Sequence, residues 1–219
     1  MLFIDRSHAG ELLAERLTPY RNKDPLILAV PRGGVAVAKP IRDKIGGVLE
    51  LMITRKIGAP YQPELAIGAV TGDGFLLLND RLVQQLGVSP AYIERAAEAE
   101  RAEIERRLTL YRGKRPFFKL NARTVLLIDD GVATGFTIQA ALRGIRQQKP
   151  AELVLAVPVG PAETLAGLRG EVDHLYCLES ALYFSSVGQF YRDFTQVSDA
   201  EVIETLNRAY SAEDGAQSL

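Results

Sequence analysis

Two adjacent aspartates, Asp129 and Asp130, directly follow an apolar run at residues 124–128. At the end of a buried strand, two neighbouring carboxylates repel each other and lose hydration, so both need hydrogen-bond donors. Vicinal hydroxyl groups supply two such donors. The pair therefore predicts a binding site for the diol of a ribose.

The segment that follows the aspartates favours anion binding. A run of small and hydroxyl-bearing residues leads into a predicted helix that includes Thr137: Gly131, Val132, Ala133, Thr134 and Gly135. The free N–H groups at a helix start, together with the hydroxyls of Thr134 and Thr137, form a natural phosphate cradle. One short segment thus offers acceptors for a ribose and donors for a phosphate.

Two further segments place basic residues or glycines directly after predicted strands. The sequence Pro31-Arg32-Gly33-Gly34 follows residues 26–30, and Arg55-Lys56 follows residues 48–54. Glycine backbones can approach an anion closely, and an arginine adds a fixed charge with several donors. The alternatives are a tight strand-to-helix turn for the first segment and an ordinary exposed basic pair for the second.

The elements that must position these residues alternate between strands and helices. Strands are predicted at 26–30, 48–54, 124–128, 153–157 and 172–177, and helices at 9–18, 35–45, 137–147, 161–168 and 198–210. This alternation predicts a parallel sheet covered by helices on both faces. Ligands bind beyond the carboxyl ends of such strands, so Arg32, Lys56 and Asp129 are expected at one edge.

Residues 57–124 interrupt the alternation. Glycines and prolines crowd residues 57–63, and a hairpin is predicted from residues 65–70 and 75–78. A long charged helix follows, with Ser89 as its N-cap and Pro90 as its first residue. This helix is expected to expose most of its surface and to pack through one apolar stripe.

The thirteen residues from Val125 to Thr137 resemble the signature by which type I phosphoribosyltransferases bind 5-phosphoribosyl-1-pyrophosphate (PRPP). The resemblance implies that Asp129 and Asp130 hold the 2′- and 3′-hydroxyls of PRPP, while residues 132–137 wrap its 5′-phosphate. It also implies that Arg32, Gly33 and Gly34 form the pyrophosphate loop, with a cis peptide bond at Pro31–Arg32, and that Arg55 and Lys56 assist there.

The resemblance implies an α/β fold of the type I phosphoribosyltransferase kind, with a parallel central sheet, a small hood and an inserted hairpin and helix. A single domain is expected over residues 1–211, with a flexible tail at 212–219. Residues 57–124 would hold a mobile loop before the insertion. Residues 179–193 are the candidate hood, where Tyr183 and Phe184 could stack on a base.

The implied reaction transfers the phosphoribosyl group of PRPP to a nitrogen nucleophile, expected to be a nucleobase, with release of pyrophosphate. Arg32, Lys56, Asp129 and Asp130 are the expected catalytic residues, and Mg²⁺ would arrive with PRPP near the two aspartates. Ala133 stands where 6-oxopurine transferases typically have an aspartate, which favours an adenine- or uracil-type acceptor. A PRPP-sensing regulator and a hydrolase of a phosphorylated sugar or nucleotide are the alternatives.

The composition of the chain limits which other binding partners, metal sites and cellular locations are expected. The net charge is −1, so no electrostatic footprint for nucleic acid or a membrane surface is expected. Cys177 is the only cysteine, which fits a reducing cytosol, and His8 and His174 are isolated, so no metal site built from protein ligands is expected. The N-terminus does not resemble a signal peptide, and a cytoplasmic location is expected. The oligomeric state is open, with a homodimer as one option.

Overall fold

The computed structural model describes residues 1–113, 115 and 117–216, with side chains up to residue 211. The helices are α1 (Arg6–Arg16), α2 (Gly33–Ile45), α3 (Asp80–Gln85), α4 (Pro90–Arg112), α5 (Phe136–Gln147), α6 (Ala162–Leu168) and α7 (Asp199–Ala216). The strands are β1 (Leu26–Ala29), β2 (Val48–Leu51), β3 (Thr54–Ala59), β4 (Gln62–Thr71), β5 (Leu76–Leu78), β6 (Thr124–Ile128), β7 (Glu152–Pro161) and β8 (His174–Ala181).

The central sheet has five parallel strands in the order β2-β1-β6-β7-β8. Ala29, the last residue of β1, is aligned with Leu51 on one side and with Ile128 on the other. From β1 the chain continues to β2 on one side of the sheet, whereas from β6 it continues to β7 and β8 on the other side. The loops after β1 and β6 therefore begin side by side at the point where the winding reverses, which is where open α/β sheets bind ligands.

Side chains along the strands alternate between two cores. Ile27 and Ala29 pack with α1, α2 and α7, whereas Leu26 and Leu28 pack with α5 and α6. Each fully buried aliphatic side chain of this kind contributes about 1.5–3 kcal/mol to the hydrophobic free energy. The predicted α/β architecture, with helices on both faces of a parallel sheet, is thus confirmed.

Residues 54–78 form a second, antiparallel sheet of three strands in the order β3-β4-β5. The predicted hairpin corresponds to β4 and β5, and the predicted long helix is α4, with the Ser89 side chain accepting a hydrogen bond from the N–H of Tyr92. Helix α4 packs on β3 and β4, and β4 also packs on α5. The insertion is therefore an ordered layer against the central domain.

One prediction for residues 48–63 was wrong in its bounds. The strand predicted at 48–54 ends at Leu51, and Thr54 already begins β3 of the other sheet. Met52 and Ile53 are buried, so the apolar pattern continues across the point where the chain leaves the first sheet. Residues 57–63, where a mobile loop is predicted, lie in the β3–β4 hairpin. Their mobility stays a prediction.

The other boundary corrections concern the last two strands and the last helix. Strand β7 runs on to Pro161, although proline and glycine usually end a strand, because Val159, Gly160 and Pro161 still pair with β8. Strand β8 covers His174–Ala181 rather than residues 172–177, and the candidate hood therefore begins inside a strand. Helix α7 continues to Ala216, so the first part of the predicted tail is helical, and residues 217–219 lie outside the described residues.

None of the helices within the described residues is both long and apolar enough to cross a membrane.

Candidate active site

The PRGG loop (residues 31–34) packs directly on the acidic pair (Asp129 and Asp130). A Cβ atom added to Gly33 would lie 1.9 Å from Oδ2 of Asp130, and one added to Gly34 would lie 3.1 Å from Cα of Asp129. Only glycine leaves room for this contact. The two loops that the sequence singled out therefore meet at one edge of the sheet, and the Pro31–Arg32 peptide bond is cis, as predicted.

Asp129 is the more enclosed member of the acidic pair. Its Oδ1 accepts a hydrogen bond of 2.8 Å from the backbone N–H of Asp130. Burial raises the pKa of Asp129 well above its ordinary value, and the adjacent charge of Asp130 raises it further. A ligand that donates hydrogen bonds to this carboxylate would relieve both effects.

Asp130 is held by residues that sequence reasoning missed. Nε of Arg6 donates to Oδ2 of Asp130 at 2.7 Å, and the hydroxyl of Tyr191 donates to the Asp130 backbone oxygen at 2.6 Å. Burial and the charge of Asp130 raise the pKa of Tyr191, so its hydroxyl keeps its proton for this bond. Tyr191 lies within the candidate hood but was not assigned this contact, and Arg6 lies outside every motif, 124 positions before Asp130.

Hydrogen bonds to β7 and α6 hold the 131–137 loop in place. The N–H of Val132 donates to the Val159 oxygen at 2.9 Å, and the Val132 side chain is buried. The Ala133 oxygen accepts a hydrogen bond of 3.0 Å from the Thr164 hydroxyl. Val132 therefore anchors the loop through an amide that is already bonded, and its predicted contact with the 5′-phosphate stays a prediction. Ala133 and Thr134 are exposed at the tip.

Helix α5 begins without a side-chain cap. Its N-cap residue is Gly135, which has φ 76° and provides no side-chain hydrogen bond to the first turn. Thr137 is half-buried in that turn. A helix start whose N–H groups lack a capping side chain favours an anion, because the helix dipole and the free donors act together.

Arg32 lies beside a cavity of about 350 Å³ between α4 and α7. Nη1 of Arg32 is 3.5 Å from Oδ1 of Asp199, and the Tyr111 hydroxyl donates to the same oxygen at 2.7 Å. These contacts, chiefly that of Tyr111, lower the pKa of Asp199. Arg106 and Arg107 of α4 also line this cavity.

A family model of the phosphoribosyl transferase domain matches residues 5–190. The chain belongs to the phosphoribosyl transferase family. The resemblance carried by residues 125–137 is thereby confirmed at the level of the family.

Two proteins of Mycobacterium tuberculosis, Rv0571c of strain H37Rv and MT0597 of strain CDC 1551, are each 40% identical over 217 residues. Both are provisionally named phosphoribosyl transferases. The match covers 98% of this chain but 49% of each relative, so the chain spans about half the length of the curated relatives it matches.

Among solved structures, TT1426 from Thermus thermophilus superposes with a TM-score of 0.82 at 39% identity, covering 95% of this chain and 99% of TT1426. A hypothetical protein from Neisseria gonorrhoeae, solved with bound ppGpp, superposes with a TM-score of 0.52 at 13% identity, covering 97% of this chain and 96% of that protein. The second likeness shows the fold alone.

The basic pair, Arg55 and Lys56, does not follow a strand of the parallel sheet. Arg55 and Lys56 lie in β3, and Nε of Arg55 is 2.6 Å from Oε2 of Glu100 on α4. Lys56 is exposed and aligned with Ala69 of β4. The predicted position of the pair was therefore wrong, and its contact with pyrophosphate stays a prediction.

The two aromatic residues of the candidate hood differ in environment. Tyr183 is 91% exposed. Phe184 stacks on Phe190, with ring centres 5.6 Å apart, and packs in a small cluster with Phe3 and Tyr191. Tyr183 is thus accessible to a ligand, whereas Phe184 contributes mainly to packing.

Replacing Gly34 with alanine is expected to destabilise the fold by about 1–3 kcal/mol, the usual range for overpacking. The added Cβ would lie 2.8 Å from the Ile128 backbone oxygen, which cannot rotate away. Urea unfolding measures the loss, and Gly167→Ala on α6 is the control because nothing lies within 4 Å of its Cβ position. Equal stability of the two variants would contradict the close packing of the PRGG loop.

Proposed function

We propose that this phosphoribosyl transferase binds PRPP across the acidic pair, the PRGG loop and the start of α5, and transfers its phosphoribosyl group to a nitrogen nucleophile. The observation that carries the proposal is the direct packing of Gly33 and Gly34 on Asp130 and Asp129. Two carboxylates that can accept hydrogen bonds from a diol thus lie against the PRGG loop, whose backbone can approach an anion. The uncapped α5 start adds a second anion position on the same loop as the acidic pair.

The reaction breaks the bond between C1 of the ribose and the pyrophosphate oxygen and forms a bond from C1 to the acceptor nitrogen, which loses a proton. Positive charge develops on the ribose and negative charge on the leaving group. Asp129 and Asp130 would hold the ribose hydroxyls. Arg32 and the PRGG amides would stabilise the departing pyrophosphate by preorganised electrostatics.

The acidic pair fits a role beside Mg²⁺. Magnesium prefers oxygen ligands and usually keeps several waters while bound through one or two carboxylates and substrate phosphates. Within the described residues, no group of three or more His, Cys, Asp or Glu side chains could hold a metal ion. Asp129 and Asp130 would lie beside a Mg²⁺ ion carried by PRPP, which would supply charge neutralisation for the pyrophosphate.

We further propose a nucleobase-like acceptor. Ala133 lies at the exposed tip of the 131–137 loop and brings no carboxylate to the acceptor side. This favours an adenine- or uracil-type base over a 6-oxopurine. The exposed ring of Tyr183 is the candidate stacking surface.

The proposal is tested by incubating the protein with PRPP, Mg²⁺ and a panel of nucleobases while pyrophosphate release is measured. Release that requires one particular base supports transfer. Release without any base would show a hydrolase, and binding of PRPP without turnover would show a PRPP-sensing regulator; either result would overturn the proposal. Asp130→Asn is the matched variant. If transfer depends on the diol site, pyrophosphate release must be slower in this variant than in the wild type.

A further inference from the structure

Arg6, the first residue of α1, meets the proposed ribose site at the acidic pair. Its Nε donates to Oδ2 of Asp130 at 2.7 Å, and the two side chains are only 11% and 16% exposed. We propose that Arg6 is a positioning residue for ribose recognition, which holds the Asp130 carboxylate in one orientation and balances part of the charge of the pair. This inference rests on the proposed binding of PRPP.

Arg6 is itself fixed from two further sides. Its guanidinium carbon lies 3.8 Å from the ring centre of Phe194, and its Nη1 donates to the Thr195 backbone oxygen at 2.8 Å. A planar guanidinium can stack on a ring and donate in its own plane at the same time. The side chain is therefore held rigidly toward Asp130.

The attachment of the N-terminus does not depend on Arg6 alone, because backbone hydrogen bonds also join it to the segment around Phe190. The N–H of Phe3 donates to the Phe190 oxygen at 2.7 Å, and the N–H of Arg192 donates to the Phe3 oxygen at 2.8 Å. The N–H of Asp193 donates to the Ile4 oxygen at 2.9 Å. Besides its contacts with Phe194 and Thr195, Arg6 adds its charge and its bond to Asp130.

The geometry leaves Asp130 able to bind a second donor. An ionised carboxylate has about four lone-pair sites on its two oxygens, and Arg6 uses one of them on Oδ2. A Cβ on Gly33 would lie 1.9 Å from this Oδ2 and 2.9 Å from Nε of Arg6, so the PRGG loop closes over the ion pair. The other oxygen of Asp130 is then the acceptor for a ribose hydroxyl.

Without Arg6, the charge of Asp130 would face that of Asp129 without compensation. The Arg6 guanidinium, in contact with the Asp130 carboxylate, offsets part of the negative charge that the two side chains bring together. An arginine here thus supports two neighbouring carboxylates as acceptors for a diol.

The test uses Arg6→Gln and Arg6→Lys, with ribose 5-phosphate and magnesium pyrophosphate as separate probes in calorimetric titrations. Arg6→Gln should weaken ribose 5-phosphate binding by about tenfold or more. This factor corresponds to losing the charged hydrogen bond between a ribose hydroxyl and a correctly oriented Asp130 carboxylate. Pyrophosphate binding should stay within about twofold. Arg6→Lys should recover part of the ribose 5-phosphate affinity, because it keeps the charge but loses the stacked, planar fork.

Arg16→Gln, at the exposed end of the same helix, is the control and should bind both probes like the wild type. The inference is overturned if Arg6→Gln binds ribose 5-phosphate as tightly as the wild type, or more tightly. It is also overturned if both probes weaken equally together with the melting temperature, since that pattern means a structural role. Failure of the wild type to bind PRPP and ribose 5-phosphate would instead defeat the proposed function.

Discussion

Replacing Asp129 with asparagine is expected to weaken PRPP binding by about 10–100-fold while leaving the protein at least as stable as the wild type at neutral pH. The affinity loss follows from hydrogen bonds to charged groups, which are worth about 1.5–3 kcal/mol, at 1.4 kcal/mol per tenfold. The stability gain follows from removing a buried charge beside Asp130. Calorimetric titration and a thermal melt of the same variant measure both.

The sign of the pH dependence provides a second check on Asp129. Because burial raises its pKa, the folded state binds a proton more tightly than the unfolded state, and stability falls as pH rises above about 4. The Asp129→Asn variant lacks the ionisable group and therefore does not lose this stability as pH rises. The stability difference between variant and wild type should therefore be largest at neutral pH and vanish below about pH 4.

Asp130→Asn should weaken PRPP binding to a similar extent but lower the melting temperature. Repulsion within the pair, considered from the sequence alone, predicts a stability gain for both substitutions. The contact with Arg6 changes this expectation, because neutralising Asp130 leaves a largely buried guanidinium without its carboxylate. Unchanged PRPP affinity in both variants would contradict the proposed ribose site.

Replacing Arg112 with glutamine is expected to destabilise the fold by about 3–5 kcal/mol at pH 8, the range found when one partner of a buried ion pair is removed. Nε of Arg112, at the end of α4, is 3.2 Å from Oε2 of Glu50, and the side chains are 8% and 0% exposed. Glu50 lies in β2, so this pair joins the inserted helix to the central sheet. Urea unfolding measures the loss.

The loss should be smaller at pH 5 than at pH 8. Burial raises the pKa of Glu50, and Arg112 partly opposes that effect. Without Arg112 the pKa rises further, so Glu50 takes up a proton in the folded state and stability falls as pH increases. Arg106→Gln, which breaks an exposed pair with Glu103 on the same helix, is the control and should change stability little at either pH. Equal losses for the two variants would contradict the buried pair.

Much of the fold and part of the site could be predicted from the sequence because the signals are local. The apolar runs at β1 and β6, the Ser89 cap of α4 and the turn before β5 depend on residues close in the chain. The end of β2 could not be predicted from the sequence, since β2 and β3 are separated by buried residues that continue the same apolar pattern. The local pattern of apolar residues does not determine which sheet a strand joins.

The α/β class, the acidic pair after a buried strand and the glycines that let a backbone approach an anion can all be read from the sequence. The pairing of β1 with β6, which packs Gly33 on Asp130, is visible only in the folded chain. The tertiary structure also decided that Arg6 reaches Asp130 across 124 positions and that the Val132 amide is already bonded to Val159. The physical reason is that helix and strand patterns express the burial of nearby residues. Contacts between distant segments depend on how the packed elements close around one another.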